Sequence, residues 1–388
     1  MKFVNEIDVK NKKVLVRVDF NVDLGDNGEI LSDFRVRAVL PSINYLLECG
    51  ASKIILISHL GRPKGKDLKL SLRVVAVKLE ELLKRPVIFV ADSRGTETAA
   101  TITGSLDNSV LLLENLRFYD EEEKDDEIFA KELAGLADLY INDAFGVCHR
   151  QNASVSAITK FLPSYGGLLL KREIENLDRA IKNFQRPLVL VLGGAKISTK
   201  LPLIKSFSNL ADSVLIGGAI ANTFLKAWNF PVGQSLVENE MFGEASQIGA
   251  AKAEMVLPGD FLVGDGFGAT KAEIRRLGEV QEKEWILDIG PASIMMFEDI
   301  VKKAKTIIWN GPMGYFENSL FDGGTKKVVE AIAASSAFSV VGGGETLTAL
   351  EKWNLFDKVS FVSTGGGAML SYLAGESMPG LQALNSIK

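Results

Sequence analysis

The strongest constraint on the fold is the alternation of short apolar runs with amphipathic stretches along nearly all of the 388 residues. Runs such as VLVRVDF (14–20) and KIILIS (53–58) are typical of buried strands, whereas residues 72–84 have the apolar spacing of a helix. Strands that alternate with helices indicate βαβ units around parallel sheets. By the same criteria, we expect another helix at 323–334 and further strands at 86–90, 110–113, 139–143, 188–193, 213–217, 261–264, 306–310, 338–342 and 359–363.

The chain is too long for one core, since domains average roughly 150 residues. We therefore predict an α/β protein of two lobes, each an open, mostly parallel sheet with helices on both faces in a Rossmann-like three-layer arrangement. The segment GGLLLKREIENLDRAIKNFQRP (166–187) has a helical pattern and contributes no strand. We expect it to supply a hinge helix at 169–187 between an N-terminal lobe, 1–168, and a C-terminal lobe, 188–375.

Composition and charge exclude several classes of protein. Apolar residues at 47% and charged residues at 24% are typical of a globular chain rather than a disordered one. A formal net charge of -5 argues against a nucleic-acid partner, because such binding depends on a positive surface. The two cysteines provide no disulfide framework, no apolar run is long enough to span a membrane, and the first residues lack a secretion signal. We expect a cytoplasmic protein with no membrane partner.

Glycine is distributed unevenly along the chain. Residues 1–150 contain 9 of the 36 glycines, and residues 151–388 contain 27. Several of the later glycines form clusters that follow predicted strands, and such clusters let the backbone approach a ligand closely. The first half instead places arginines in its loops. We interpret this difference as two lobes that bind different ligands.

Charged and polar side chains follow predicted strands of the first half. The residues at these strand ends and at the helix start that follows are Asp19, Asn21, Arg35, His59, Arg62, Arg117, His149 and Arg150. Ligands of α/β proteins bind at this sheet edge, and converging guanidinium groups suit a small, multiply charged anion. Two simpler explanations stay open: an ordinary turn after the first strand, and arginines that are merely exposed. The histidines are weak metal candidates, because nothing nearby supplies a third ligand.

The second half carries features of a phosphate site. In LGGAKISTK, a glycine pair after a strand is followed by Lys196 and Lys200, although the order is not that of a Walker A loop. Triple glycines at 342–344 and 365–367 would open helices whose backbone amides cradle phosphate. Glu317 is placed to hold ribose hydroxyls, and Glu345 to hold a magnesium ion. The acidic run at 120–127 is typical of a solvated loop and helix start.

The motifs occur in a characteristic order: RVDFNV, HLGRP, ENLRF, DAFG, LGGAK, WNGP, GGG and STGGGA. In this order the chain closely resembles the phosphoglycerate kinase family over nearly its whole length. The resemblance implies the glycolytic reaction in which 1,3-bisphosphoglycerate and ADP give 3-phosphoglycerate and ATP, with Mg2+ bound together with the nucleotide. It also implies a hinge-bending monomer whose last segment, 376–388, returns to the N-terminal lobe.

The resemblance assigns roles to positions of this sequence. For 3-phosphoglycerate or 1,3-bisphosphoglycerate it implies Asp19, Phe20, Asn21, Arg35, His59, Leu60, Gly61, Arg62, Arg117 and Arg150. For ADP or ATP it implies Lys196, Lys200, Gly217, Gly218, Asn310, Pro312, Glu317, Gly343, Gly344, Glu345 and Thr346, with Glu345 as metal ligand. As catalytic groups it implies Arg35, Lys196, Lys200, Gly344 and Gly367.

The expected chemistry needs no general base. An ADP phosphate oxygen and, in reverse, a carboxylate are both ionised near neutral pH, so positioning and charge neutralisation remain as the tasks of the protein. Three features depart from the family's usual pattern: Glu345 replaces aspartate, CHRQN (148–152) replaces AHRAH, and Ser371 replaces glutamate. The alternative hypothesis is a catalytically silent relative that binds nucleotide and acts as a partner protein. A dehydrogenase is disfavoured, because no G-x-G-x-x-G motif occurs at a strand-to-helix turn.

Overall fold

The computed structural model describes residues 1–248 and 252–386. The chain divides into two compact units. The first unit comprises Met1–Glu175 and Ser377–Lys388, and the second comprises Asn176–Glu376. Both contain a parallel sheet covered by helices on both faces, which confirms the predicted fold class.

The first unit is built on a six-stranded parallel sheet with strand order β3-β4-β2-β1-β5-β6. Its strands are β1 (Lys13–Arg17), β2 (Lys53–Ile57), β3 (Val87–Val90), β4 (Ser109–Leu113), β5 (Leu139–Asn142) and β6 (Ser164–Gly166). Its first four helices are α1 (Phe34–Glu48), α2 (Arg73–Leu83), α3 (Thr96–Gly104) and α4 (Glu127–Ala134). In the middle of the sheet, Val16 lies opposite Leu56 on one side and Ile141 on the other. These three side chains are fully buried, and each contributes about 1.5–3 kcal/mol by leaving water.

Helix α5 (Leu168–Ile181) lies within the segment expected to form a connecting helix. The chain passes from the first unit to the second at Glu175 and Asn176, inside this helix. After the second unit, α13 (Pro379–Asn385) belongs to the first unit again. There the amide of Gly380 donates a hydrogen bond of 2.9 Å to the carbonyl of Cys148.

The second unit contains a second six-stranded parallel sheet, of order β15-β14-β13-β7-β8-β9, and a three-stranded sheet of order β11-β10-β12. The strands are β7 (Leu188–Leu192), β8 (Ser213–Ile216), β9 (Glu254–Val256), β10 (Asp260–Gly264), β11 (Glu273–Arg276), β12 (Trp285–Ile289), β13 (Thr306–Asn310), β14 (Phe338–Val341) and β15 (Phe361–Val362). The helices are α6 (Leu201–Phe207), α7 (Gly218–Ala227), α8 (Phe242–Gln247), α9 (Pro291–Lys303), α10 (Gly323–Ala334), α11 (Gly344–Lys352) and α12 (Gly367–Ala374).

One predicted strand has a different place from the one expected. The run at 261–264 forms β10, which pairs antiparallel with β11 and β12 instead of joining the parallel sheet. Four strands were not predicted: β6, β9, β11 and β12. Strands β6 and β9 are three-residue edge strands, which are too short to form a recognisable apolar run. Strand β11 is largely exposed and has the polar sequence EIRR, so it has no apolar run either. Among the residues described, no helix is long and apolar enough to cross a membrane.

Candidate active site

In the first unit, the loops that follow β1, β2, β4 and β5 carry the predicted anion-binding residues. Asp19, His59 and Arg117 are buried there, although all three side chains are polar. Asp19 accepts a hydrogen bond from Nη1 of Arg35, at the start of α1. Burial alone would raise the pKa of Asp19, but the positive charge of Arg35 and its neighbours outweighs burial and lowers that pKa. The carboxylate therefore stays ionised and holds Arg35 at the edge of the sheet.

A buried arginine that sequence reasoning missed lies behind this pair. Arg17 is only 1% exposed; its Nε donates to Ser154 Oγ at 2.8 Å, and its Nη2 lies 3.1 Å from His59 Nδ1. Because a guanidinium only donates, Nδ1 of His59 accepts, so the neutral ring carries its proton on Nε2. Burial also lowers the pKa of His59 well below its usual value. Arg17 is the last residue of β1, but it lies inside the predicted strand 14–20, where its position indicates core instead of a ligand site.

The acidic run at 120–127 is not wholly solvated, contrary to prediction. Glu122 is 1% exposed, and its Oε1 lies 3.8 Å from Nη2 of Arg17. The same oxygen accepts a 2.6 Å hydrogen bond from the Ser154 hydroxyl. Glu122 is buried because the buried guanidinium requires a carboxylate partner. The run does form a loop and then a helix start, since Asp126 caps α4.

The loop after β2 is fixed through the backbone of Gly61. Its amide donates to Asn21 Oδ1 at 2.8 Å, and its carbonyl accepts from Nη1 of Arg117 at 2.7 Å. Arg117 also pairs with Glu123 at 3.1 Å. Burial lowers the pKa of Arg117, and nearby positive charges such as that of Arg150 act in the same direction. The two neighbouring arginines thus concentrate positive charge beside this loop.

The remaining predicted residues of the first unit differ in their availability. Arg62 is exposed, and its guanidinium has no hydrogen bond or ion pair with any residue described. Nε of Arg150 lies 3.2 Å from Nε2 of His149. Phe20 and Leu60 have side chains buried in the core, so only their backbone groups remain to face a ligand. The structure brings Asp19, Arg35, His59, Arg117 and Arg17 close together, whereas no described contact ties Arg62 to them.

In the second unit, backbone hydrogen bonds join three loops at the carboxyl ends of the strands. The amide of Gly194 donates to the carbonyl of Pro312, and the amide of Gly218 donates to that of Met313, both at 2.8 Å. Gly217 precedes α7, and an added Cβ there would lie 2.7 Å from the Met313 sulfur. These close approaches explain the glycine pairs. We call the loops at 193–196, 217–218 and 310–314, together with the start of α11, the glycine cradle.

Lys200 lies at the base of the glycine cradle. Both Lys196 and Lys200 precede α6, and Lys200 is the residue immediately before its first turn. Lys200 is 7% exposed, and its Nζ donates to the carbonyls of Gly193 and, at 3.1 Å, of Asn310. Burial lowers the pKa of Lys200 to about 8, although the carboxylate of Glu345 acts in the opposite direction. Lys196 is exposed and available to a ligand.

Both triple glycines open helices, as predicted. Gly343 has a φ of 105°, which only glycine adopts readily, and the next residue, Gly344, begins α11. The Asn310 side-chain amide donates to the carbonyl of Gly342 at 2.6 Å, and the Thr346 hydroxyl accepts from the amide of Gly311 at 2.7 Å. Gly367 begins α12, which packs against α6. The positive ends of α11 and α12 are thus available to an anion.

Within the second unit, a cavity that opens to solvent continues from the glycine cradle. Gly218, Pro312, Glu317 and Glu345 line it, as do several aromatic side chains. The ring of Phe267 lies 5.4 Å from that of Trp285 and 4.9 Å from that of Tyr315, measured between centroids. Sequence reasoning missed these aromatic residues because they lie in and beside the antiparallel sheet, which was not predicted.

The donor set suits a magnesium ion that arrives with a nucleotide. Glu345 is exposed in the first turn of α11, so its carboxylate is accessible. Among the residues described, no group of three or more histidine, cysteine or carboxylate side chains forms a metal cage. Magnesium in kinases is commonly held by one or two carboxylates together with substrate phosphates and water. A single accessible carboxylate beside a phosphate cradle fits that pattern.

Comparison with known proteins identifies the family. The sequence model of the phosphoglycerate kinase family matches residues 4–376. The chain is 45% identical over 389 residues to "Phosphoglycerate kinase" of Coprothermobacter proteolyticus, covering 99% of this chain and 98% of that relative. Phosphoglycerate kinase of Aquifex aeolicus is likewise 45% identical, over 390 residues, with the same shares covered.

Solved structures agree with the sequence comparison. A phosphoglycerate kinase from Pyrococcus horikoshii has a TM-score of 0.89 and 35% identity, and one from Coxiella burnetii has a TM-score of 0.85 and 36% identity. Each comparison covers 99% of this chain and 98% of the other. The chain therefore belongs to the phosphoglycerate kinase family and is an enzyme with that family's kinase activity.

Proposed function

We propose that the two units divide the substrates of this reaction between them. The first unit binds 3-phosphoglycerate or 1,3-bisphosphoglycerate, and the second binds ADP or ATP with Mg2+. The observation that carries this assignment is the contrast between the two strand edges. The edge in the first unit presents arginines around Asp19 and His59, which suits a small polyanion. The edge in the second unit presents glycine amides, helix starts and lysines beside a largely apolar cavity, which suits a nucleotide.

Direct in-line transfer needs no general base. In ATP synthesis, a β-phosphate oxygen of ADP attacks the acyl phosphate, and the 3-phosphoglycerate carboxylate leaves. Both groups are ionised near neutral pH. His59 is neutral, and its Nδ1 accepts from Arg17, so its Nε2 proton serves as a hydrogen-bond donor to the anionic substrate. The residues therefore position the reactants and neutralise charge.

We assign charge neutralisation to groups from both units. Arg35 is the contribution of the first unit, and its pairing with Asp19 orients it. The second unit contributes two lysines, Lys200 and Lys196, and the helix-start amides of Gly344 and Gly367. Lys200 exchanges its bonds to backbone carbonyls for bonds to phosphate oxygen. Because the two sets belong to different units, transfer requires hinge closure that brings them together and excludes water.

Magnesium binds through Glu345 and the nucleotide phosphates in this proposal. When bound, it neutralises phosphate charge and helps to orient the transferring group. Glu317 holds the ribose hydroxyls. We further propose that the enzyme acts as a cytoplasmic monomer with these small-molecule substrates.

The assignment of substrates to units can be tested with two exposed residues. Coupled assays would measure ATP formation from 1,3-bisphosphoglycerate, ADP and Mg2+ with Arg62→Ala and with Lys196→Ala. We expect Arg62→Ala to raise KM for the acid substrate about tenfold and leave KM for ADP unchanged, and Lys196→Ala to do the reverse. Lys64→Ala is a matched control, since it removes an exposed positive charge two residues from Arg62. Equal effects of either variant on both KM values would refute the division.

A further inference from the structure

The cavity next to the glycine cradle contains one polar side chain whose hydrogen bonding is incomplete. Asn222, on α7, is 2% exposed and lines the cavity. Its Oδ1 is buried and accepts no hydrogen bond from any described residue. Among the described lining residues, it is the one with a buried side-chain atom of this kind. Buried polar atoms are nearly always paired, and Asn222 lines a cavity, so a ligand in that cavity can supply the missing donor.

Neighbouring polar side chains show that the local structure otherwise satisfies its hydrogen bonds. Thr223, the next residue on α7, donates to the Ala219 carbonyl at 3.3 Å and accepts from the amide of Glu238 at 3.2 Å. Asp288, which also lines the cavity, accepts from the amides of Ile289 and Gly324. Among these three residues, only Asn222 has a buried side-chain atom without a hydrogen-bond partner.

The surroundings of Asn222 restrict the kind of ligand. The cavity walls are mainly apolar and include the rings of Phe267, Trp285 and Tyr315, which favour a planar heterocycle. Asn222 lies one helical turn beyond Gly218, whose backbone belongs to the glycine cradle. A ligand with its phosphates at the cradle would thus extend its base toward Asn222.

A carboxamide presents one acceptor and two donor hydrogens side by side in either orientation. Adenine matches this pair on the edge where its 6-amino donor stands next to the N7 acceptor, and asparagine reads adenine in nucleic acids by this pairing. On the same edge hypoxanthine presents two acceptors, the 6-keto oxygen and N7, so it offers Oδ1 no donor. We infer that Asn222 selects 6-aminopurine nucleotides, with Oδ1 accepting from the 6-amino group. This inference rests on the proposed nucleotide site.

The test compares three nucleotides that differ at position 6 of the purine. These are ADP, IDP with its keto group, and purine riboside 5′-diphosphate, which carries only hydrogen there. For the wild-type enzyme we expect Kd by calorimetry and KM to be roughly tenfold higher for both analogues than for ADP, with kcat little changed. Equal affinity for all three nucleotides would overturn the inference without any variant.

Variants test whether Asn222 is the source of the selection. Asn222→Leu replaces the carboxamide with an apolar group of the same branched shape and should weaken ADP binding roughly tenfold while leaving the analogues nearly unaffected, so the preference disappears. Asn222→Ala provides the same comparison if the leucine variant does not fold. Thr223→Val, which alters the adjacent residue on the same helix, should retain the preference. A preference that survives both Asn222 substitutions would refute the assignment. Selective binding without turnover would instead contradict the proposed function and leave this inference standing.

Discussion

The two strand edges bind anions by different physical means. In the first unit, buried charged side chains hold one another: Arg17 contacts His59 and Glu122, and Asp19 holds Arg35. In the second unit, the glycine cradle is held by bonds between backbone amides and carbonyls, and Lys200 donates into it. One site therefore depends on charge balance, and the other depends on close approach of the backbone.

Removing a charged side chain should therefore affect stability differently in the two units. In the first unit, removing one partner of a buried ion pair leaves the other partner as an uncompensated buried charge, which destabilises the side chains around it. In the second unit, the exposed carboxylates Glu317 and Glu345 are separate from the backbone bonds that shape the cradle. Gly343, with its positive φ, is a position where the backbone itself restricts the residue. We expect variants to separate these two kinds of dependence.

The largest effect is expected for Lys200→Ala. It removes the buried charge of the glycine cradle while leaving the backbone amides in place. Because that charge acts mainly on the transferring group, we expect kcat to fall about 10²- to 10³-fold and Kd for ADP to change by less than about threefold. Steady-state kinetics and calorimetry measure the two quantities. Lys205→Ala, which removes an exposed lysine paired with Glu244, is the control. Equal losses of turnover and affinity would show that the lysine contributes only to ground-state binding.

Arg35→Ala tests the corresponding charge of the first unit. We expect kcat to fall about 10²-fold, because a guanidinium aimed at the transferring group is lost. Unlike Lys200, Arg35 has a buried carboxylate as partner, so its removal should also raise the pKa of Asp19 and lower stability. Kinetics and thermal unfolding would be measured together. Arg37→Ala removes the exposed neighbour that pairs with Asp33 on the same helix, and should leave turnover unchanged. Normal turnover by Arg35→Ala would remove Arg35 from the catalytic set.

Much of the fold was predictable because central parallel strands are buried on both faces and form continuous apolar runs. For example, KIILI became β2 and TIIWN became β13. The antiparallel sheet was not predictable in this way. Strand β10 resembles a parallel strand in composition, and β11 is short, polar and exposed, so only tertiary pairing distinguishes them. Short apolar runs therefore predict that a strand exists better than they predict its partners.

Prediction of the candidate site was limited in a similar way. Residues that follow strands, such as Asp19 and Lys196, are marked by their position in a motif. Arg17 opens the motif RVDFNV, but it falls within a predicted strand, and Glu122 falls in an acidic run typical of solvent-exposed surface, so neither pattern indicates a buried ion pair. Asn222 lies in an ordinary helical sequence, and its role depends on a cavity formed by distant segments. The sequence pattern reveals groups at loop ends, whereas buried partners become visible only in three dimensions.

The pH dependence of activity should come from the second unit. Burial lowers the pKa of Lys200 to about 8, so its charge is lost as the pH rises through that value. We expect kcat/KM for ADP to fall about tenfold per pH unit above 8, because this ratio reports the free enzyme. The alkaline decrease of kcat itself should occur at higher pH, because bound phosphate stabilises the charged ammonium form of Lys200. His59 should cause no change in activity near the usual histidine pKa, because burial lowers its pKa well below that value and keeps the ring neutral.

The control for this profile is the residual activity of Lys200→Ala, which should lack the alkaline limb. Titration of Lys200 does not itself destabilise the fold at alkaline pH. A lysine whose folded pKa lies below its unfolded value binds fewer protons when folded, so stability rises with pH between the two values. An alkaline limb that persists in Lys200→Ala would assign it to another group.

Gly343→Ala tests how strictly the cradle depends on its backbone. An added Cβ would lie 2.7 Å from Nδ2 of Asn310, at a φ of 105°. We expect the free energy of unfolding to drop by about 1–3 kcal/mol and ADP affinity to fall several-fold, since the start of α11 must shift. Denaturant unfolding and calorimetry provide the measurements. Gly344→Ala is the matched control, because the neighbouring position is helical and has no atom within 4 Å of an added Cβ. Similar losses in both variants would show that the strain at Gly343 is not the cause.

The smallest effect is expected for Glu345→Asp, which changes an exposed side chain of the second unit and leaves its backbone intact. We expect kcat at saturating Mg2+ to stay within about threefold, because the amides and Lys200 are retained. The shorter carboxylate should shift the midpoint of the Mg2+ titration, since it must reach the ion from the same helix start. Glu351→Asp, at an exposed position of the same helix, should leave the midpoint unchanged. An unaltered titration for Glu345→Asp would place the carboxylate away from the ion, and a large loss of kcat would show that the second unit depends on side chains as strongly as the first.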